Sequence, residues 1–98
     1  MFKDLDPILH SQLRLSIVSI LISMKEADFN YIKETTQATS GNISIQIKKL
    51  QDAGYIQVKK SFKNNYPHTK LSITDLGIEA FESYVENLKK YIHPDGIK

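Results

Sequence analysis

Apolar positions along the chain change period several times, and each change marks an element. From Leu13 to Met24 they recur at helical spacing in two stripes. Leu13, Ile17, Ile20, Leu21 and Met24 share one face, and Leu15, Val18 and Ile22 lie roughly 150° round the axis at about 100° per residue. A helix that is apolar on two faces is buried on two sides. Ser11 is placed to cap this helix, and Asp6-Pro7 can start a single turn in the lead-in before it. Asp28 caps a short second helix, about Phe29 to Thr35, with Phe29 and Ile32 inward. Thr35-Thr36-Gln37-Ala38 reads as a turn, and Thr39 caps a third helix only a few residues later.

The third helix can be laid out by angle. With Ile43 at zero, Ile47 falls near about 40° and Leu50 near about 340°, which defines the buried face. Gly41, Ile45 and Lys48 fall near about 160°, 200° and 140°, opposite the core, with Asn42, Ser44 and Lys49 flanking them. Gly54 stops the helix in a left-handed position. Beyond it the period drops to two. Ile56 and Val58 alternate with Gln57 and Lys59, and Leu71 and Ile73 with Lys70 and Ser72. These predict two strands, Tyr55–Lys60 and Lys70–Ile73, joined by a long cationic loop, Ser61–Thr69, too long for a minimal hairpin. Thr74 then caps a last helix, Asp75 to about Ile92, ended by His93-Pro94-Asp95-Gly96. Its residues Ile78, Phe81, Val85, Leu88 and Ile92 follow heptad steps, with Tyr84 and Tyr91 beside the seam.

The order is helix, helix, helix, two-stranded β-wing, long C-terminal helix. It predicts an α+β, mostly α, winged helix-turn-helix as one domain over residues 1–98, with 75–92 as a dimerisation helix. The seam Ile78, Phe81, Val85, Leu88, Ile92 and the second stripe Leu15, Val18, Ile22 are the candidate dimer interface. Packing of that seam within one chain is the other reading.

Charge sharpens the picture. The chain has a net charge of only +2, but residues 40–73 carry six lysines (Lys48, Lys49, Lys59, Lys60, Lys63, Lys70) against one acid, Asp52. That is +5 locally and −3 for the rest, a cationic surface on a mildly acidic body. On the third helix, Asn42 can pair bidentately with adenine, Ser44 can donate or accept, and Lys48 and Lys49 can reach phosphate or guanine. Ile45 either touches a thymine methyl or is simply exposed. The first-turn amides around Thr39, Ser40 and Gly41 can bind a phosphate, and small residues there admit close backbone approach. Gln46 is a further candidate reader. In the loop, Lys63, Asn64, Asn65 and His68 can follow a phosphate backbone or enter a minor groove.

Cysteine is absent, and His10, His68 and His93 lack metal-ligand spacing, so neither a thiolate metal site, a cofactor nor an enzymatic site is expected. The carboxylates Glu79, Glu82 and Glu86 read as a solvated helix face. The longest apolar run, Ile17–Met24, is too short for a bilayer, and Met1-Phe2-Lys3-Asp4 opens no signal-peptide pattern, so a cytoplasmic location is expected.

Several segments together resemble a family of small, single-domain winged-helix regulators near the multiple-antibiotic-resistance regulator group. They are Leu5–Ser11, Arg14-Leu15, Ala27-Asp28-Phe29, Thr39–Ser44, Lys49–Ile56 and Leu71–Gly77. The resemblance covers about residues 5–90. It implies a homodimeric transcriptional regulator of double-stranded DNA, with the third helix in the major groove and the wing on flanking DNA. The chain departs from the family pattern in three places. Thr36-Gln37-Ala38 replaces a glycine-bearing turn, which puts Gln37 in a left-handed conformation. Ile45-Gln46 stands where a serine or arginine followed by histidine is usual, and the wing lacks arginine. These departures imply a weaker interaction or a more A·T-rich site. A small-molecule effector between the first and last helices is conceivable. The alternative function is a winged-helix protein–protein interaction module that no longer reads sequence.

Overall fold

The structure, a computed structural model, describes residues 2–92. Its elements are α1 (Gln12–Met24), β1 (Glu26–Asp28), α2 (Phe29–Thr36), α3 (Ser40–Asp52), β2 (Ile56–Lys63), β3 (Tyr66–Ile73) and α4 (Asp75–Ile92). The expected stop at His93-Pro94-Asp95-Gly96 lies outside the described residues.

Each helix starts on a side chain that accepts an otherwise orphaned amide. Asp28 accepts from the Tyr31 amide at 2.8 Å, Thr39 from Asn42 at 3.1 Å and Thr74 from Gly77 at 3.0 Å. Ser11 does the same for Arg14 at a longer 3.5 Å. α3 ends in a Schellman arrangement: the Tyr55 amide donates to the Leu50 carbonyl and the Gly54 amide to Gln51, with Gly54 at φ 82°. Gln37 takes the left-handed conformation expected of it, at φ 62°, and its side-chain amide donates to the Glu34 carbonyl.

The core forms where the amphipathic faces meet. Leu9, Ile17, Val18, Leu21, Ile32, Ile43, Leu50 and Leu71 are fully buried, and Ile47 and Ile56 nearly so. Burial of each such side chain contributes about 1.5–3 kcal/mol before chain entropy is counted. The α3 triad Ile43, Ile47 and Leu50 lies inward as its angles require.

Four features differ from the sequence reading. First, the sheet has three antiparallel strands in the order β1-β3-β2, not two. Glu26, Ala27 and Asp28 pair with Ser72, Leu71 and Lys70. β1 is only three residues long, too short to show a period, and Ala27 secures it by filling the core.

Second, the wing is a minimal hairpin, not a long loop. β2 and β3 pair without interruption from Ile56↔Ile73 to Lys63↔Tyr66 around the turn Asn64-Asn65. Both asparagines have positive φ (54° and 67°), the type I′ requirement that asparagine tolerates. Beyond Val58 the ribbon leaves the body and both faces meet solvent, so the apolar alternation that reveals a strand disappears. Pro67 is compatible with pairing. Lys63 and Tyr66 flank the turn as a hydrogen-bonded pair, so Phe62↔Pro67 is of the alternate type whose amide positions point away from the partner strand.

Third, Val18 is buried completely within its own chain, which removes it from the candidate dimer interface. Leu15 and Ile22 are half-buried against the same core. Fourth, the buried row of α4 is rotated from the expected seam. Gly77 and Tyr84 are its buried residues, with Phe81 and Leu88 partly packed beside them. Ile78 and Val85 are half-buried at the edge, and Ile92 is 63% exposed. Gly77 explains the rotation. A Cβ there would stand 2.3 Å from the Tyr55 carbonyl oxygen, so the first turn of α4 sits directly on the α3–β2 junction. Thr74 reinforces the junction by donating its hydroxyl to the Gly54 carbonyl at 2.7 Å.

The lead-in is tied down at several points. Tyr91 donates its hydroxyl to the Lys3 carbonyl at 2.8 Å, and the Tyr91 and Phe2 rings are 4.9 Å apart. His10 Nδ1 lies 3.1 Å from the Tyr84 hydroxyl. The Tyr55 hydroxyl donates to Asp6 at 2.5 Å. Burial, then the hydrogen bond to Asp6 and its negative charge, push the Tyr55 phenol up to about 12 from 10.0. A raised pKa stabilises the fold fully below pH 10, and that stabilisation is lost as pH climbs from 10 towards about 12, because the unfolded chain releases the proton first. The urea midpoint of the wild type should therefore fall across this window more steeply than that of Tyr55→Phe. Parallel pH profiles would contradict the assignment.

Candidate nucleic-acid interface

The cap at Thr39 and the buried triad orient α3 so that Ser40, Gly41, Asn42, Ser44, Ile45, Lys48 and Lys49 are all exposed on its outer side. Ile45 is 56% exposed. Nothing lies within 4 Å of a Cβ built on Gly41, so the backbone at the helix N-terminus is open to close approach. The Thr39 hydroxyl is occupied by its cap. Lys48 pairs with Asp52 at 2.9 Å one turn on, and both side chains are well exposed, so the pair is worth about 0–1 kcal/mol and yields readily to a phosphate. Lys49 has no ion pair among the described residues.

Gln46 stands apart from these. It is half-buried, near about 300° on the helix wheel and so next to the core face. Its carbonyl accepts from Arg14 Nη1 at 2.5 Å, and its amide donates to Asn42 Oδ1 at 2.8 Å. Arg14 also donates through Nε to the Ile8 carbonyl at 2.6 Å. A chain of hydrogen bonds thus runs from the lead-in through α1 to Asn42. The partners of Arg14 are neutral oxygens, one of them 32 positions away, and only the helix-wheel angle of Gln46 hints at the contact.

The wing presents two faces. Cross-strand partners share a face, so Lys60 with Thr69 and Phe62 with Pro67 lie on the side of Val58 and Leu71, towards the helices. Lys60 and Thr69 face Ser44, Lys48 and Gln51 of α3 across a crevice of about 230 Å³. Lys63 and His68, expected to join the site, occupy the opposite face with Lys59 and Lys70, and Asn64 and Asn65 form the tip. Lys60, Phe62 and Thr69 therefore join the wing face turned towards α3, a placement that sequence reading left unassigned. Extending the two-residue period outward from Val58 would have found them. Lys70 is held by Glu26 at 3.0 Å.

Among the described residues no group of three or more metal-ligating side chains is close enough to hold an ion. No helix among them is long and apolar enough to cross a membrane.

A helix-turn-helix mounted beside a β-ribbon, with α4 packed on their junction, defines the winged-helix class. The chain belongs to the winged helix DNA-binding domain family, whose model matches residues 13–92. It is 35% identical over 78 residues to the uncharacterized protein MJ0432 of Methanocaldococcus jannaschii, covering 80% of this chain and 85% of that one. Its fold is similar to that of a transcriptional regulator homologue from Pyrococcus horikoshii OT3, with a TM-score of 0.83 at 29% identity over 92% of this chain and 89% of that one. The same fold occurs in a MarR variant from E. coli solved in complex with operator DNA, at a TM-score of 0.69 and 11% identity over 91% of this chain and 63% of that one.

Proposed function

We propose that the protein is a cytoplasmic, homodimeric transcriptional regulator that reads double-stranded DNA by sequence. α3 enters the major groove and the wing lies on flanking DNA. The observation that carries this reading is the outer face of α3. Its open N-terminus and its exposed Asn42, Ser44, Ile45, Lys48 and Lys49 stand beside a cationic wing and face away from the core. The regulator fold found bound to operator DNA in MarR supports it.

Roles divide by chemistry. Asn42, Ser44 and Ile45 meet base edges, while Lys48, Lys49, Lys60 and Lys63 meet phosphates. Dimerisation is supported by exposed apolar surface at the distal end of α4. There Ile92 is 63% exposed, and the exposed Tyr91 and Phe2 rings pack on each other. Any small-molecule effector would act at that same helix interface, by changing the distance between two α3 helices.

Anisotropy titrations with short labelled duplexes test the division. Lys49→Ala and Lys63→Ala should weaken binding to every duplex by a similar factor, each lowering the salt slope by about two, one contact from each chain of the dimer. Sedimentation of the wild type should show a two-chain particle. A one-chain particle that binds no duplex would end this reading.

A further inference from the structure

The end of the wing carries a feature that phosphate contact does not require. Phe62 is 78% exposed and Tyr66 74%, more than any other large apolar side chain among the described residues. Phe62 lies directly across the ribbon from Pro67, in the closer of the two antiparallel pair types. Their rings form one apolar edge a single pair back from the Asn64-Asn65 turn. That edge is on the face where Lys60 and Thr69 look across at α3. It stands two residues beyond them, about 7 Å further out at the usual strand rise.

We propose that Phe62 and Pro67 form a wedge that enters the minor groove beside the α3 site and partly unstacks one base step. The proposal rests on the DNA-binding reading above and adds deformation of the duplex to it. Charge selects the occupant: no acidic residue occurs between 53 and 74, and Lys60 and Lys63 bracket Phe62 in sequence and on the two faces of the ribbon. An apolar tip between cations suits a polyanion whose interior is apolar, which is what an opened base step presents. Both Phe and Pro are side chains that β-ribbon and other minor-groove proteins drive between base steps, kinking the duplex by about 20–90°. The two-residue turn keeps the ribbon narrow and rigid. Phe62 has no hydrogen-bonding group, so it selects steps by their ease of unstacking, and flexible TA and CA/TG steps are favoured.

The test uses the full-length protein and duplexes selected by it from a random library. 2-Aminopurine is placed at one flanking step after another, and anisotropy and base fluorescence are read in the same sample. Wild-type protein should raise the fluorescence at one step on each side of the site. Phe62→Ala should still bind, with affinity reduced roughly five- to thirtyfold, and should abolish the rise. Phe62→Leu, which keeps an apolar wedge, should restore most of it. Wild-type binding with no rise at any flanking step, or an undiminished rise with Phe62→Ala, would overturn the wedge while leaving the α3 reading intact. Absence of binding by the wild type, read from anisotropy, would sink both. Loss of oligomer mass in free Phe62→Ala would assign the pair to a contact between copies and also overturn the wedge.

Discussion

Raising monovalent salt from about 50 to 200 mM should weaken duplex binding by roughly 10³–10⁵-fold. Four lysines per chain are exposed where they could reach a duplex: Lys48 and Lys49 on α3, Lys60 on the α3 side of the wing and Lys63 beside its tip. Two chains would offer about eight phosphate contacts, and each displaced counterion contributes about −0.9 to the slope of log K against log salt. The Lys48–Asp52 pair does not remove Lys48 from the count, because an exposed i,i+4 pair holds its lysine by about 0.5 kcal/mol or less. Lys59 and Lys70 are discounted, since they lie back from the tip on the wing face turned away from α3, and Lys70 is also held by Glu26. The body outside residues 40–73 carries −3, which repels the duplex and leaves the attraction to this one surface. Titrations at four or five salt concentrations give the slope. A value between about −5 and −8 agrees with this lysine set, and one shallower than about −3 would mean that most of these lysines never meet phosphate.

Replacing Asn42 by alanine should cut discrimination at one base pair of each half-site by roughly tenfold to a hundredfold, the range for loss of a bidentate side chain–base pair. The structure adds a second variant to this experiment. Gln46 holds Asn42 Oδ1 at 2.8 Å and is itself held by Arg14. The second lone pair of Oδ1 and both amide hydrogens of Asn42 remain free for adenine. Gln46→Ala would release Asn42 to rotate, so it should blur the same base pair as Asn42→Ala, but less. The double variant should then be no worse there than Asn42→Ala alone, since one interaction cannot be lost twice. If Gln46→Ala relaxed a different base pair, Gln46 would be reading bases directly and the bracket account would fail.

What could be read from the sequence was whatever depends on local period and local hydrogen bonding. The caps at Asp28, Thr39 and Thr74, the buried triad Ile43, Ile47 and Leu50, and the stop at Gly54 each need only neighbours within a few residues. The left-handed Gln37 followed instead from the family resemblance, in which that turn carries a glycine. The misses share a different cause. β1 exists because Ala27 meets Leu71 across 44 positions, and three residues carry no period. The outer wing is a strand in solvent, held by its turn and its ladder, so the alternation that marks a buried strand is absent. The tie of Gln46 to Arg14 is not legible locally, because the partner lies on another helix. The rotation of α4 follows from the approach of Gly77 to the Tyr55 backbone, a contact with no counterpart in a heptad count. The same limit applies to Val18, which one stripe of α1 assigned to a partner and which the chain's own core encloses.

The central claim is that two copies of the outer face of α3 read base sequence together. Selection from a random duplex library by the wild-type and Asn42→Ala proteins in parallel tests it most directly. The wild type should enrich a pair of inverted half-sites with centres about one helical turn, roughly 34 Å, apart, and Asn42→Ala should lose enrichment at one symmetric position in both halves. A wild-type library that stays flat after selection, or an enriched site that Asn42→Ala recovers unchanged, would contradict it.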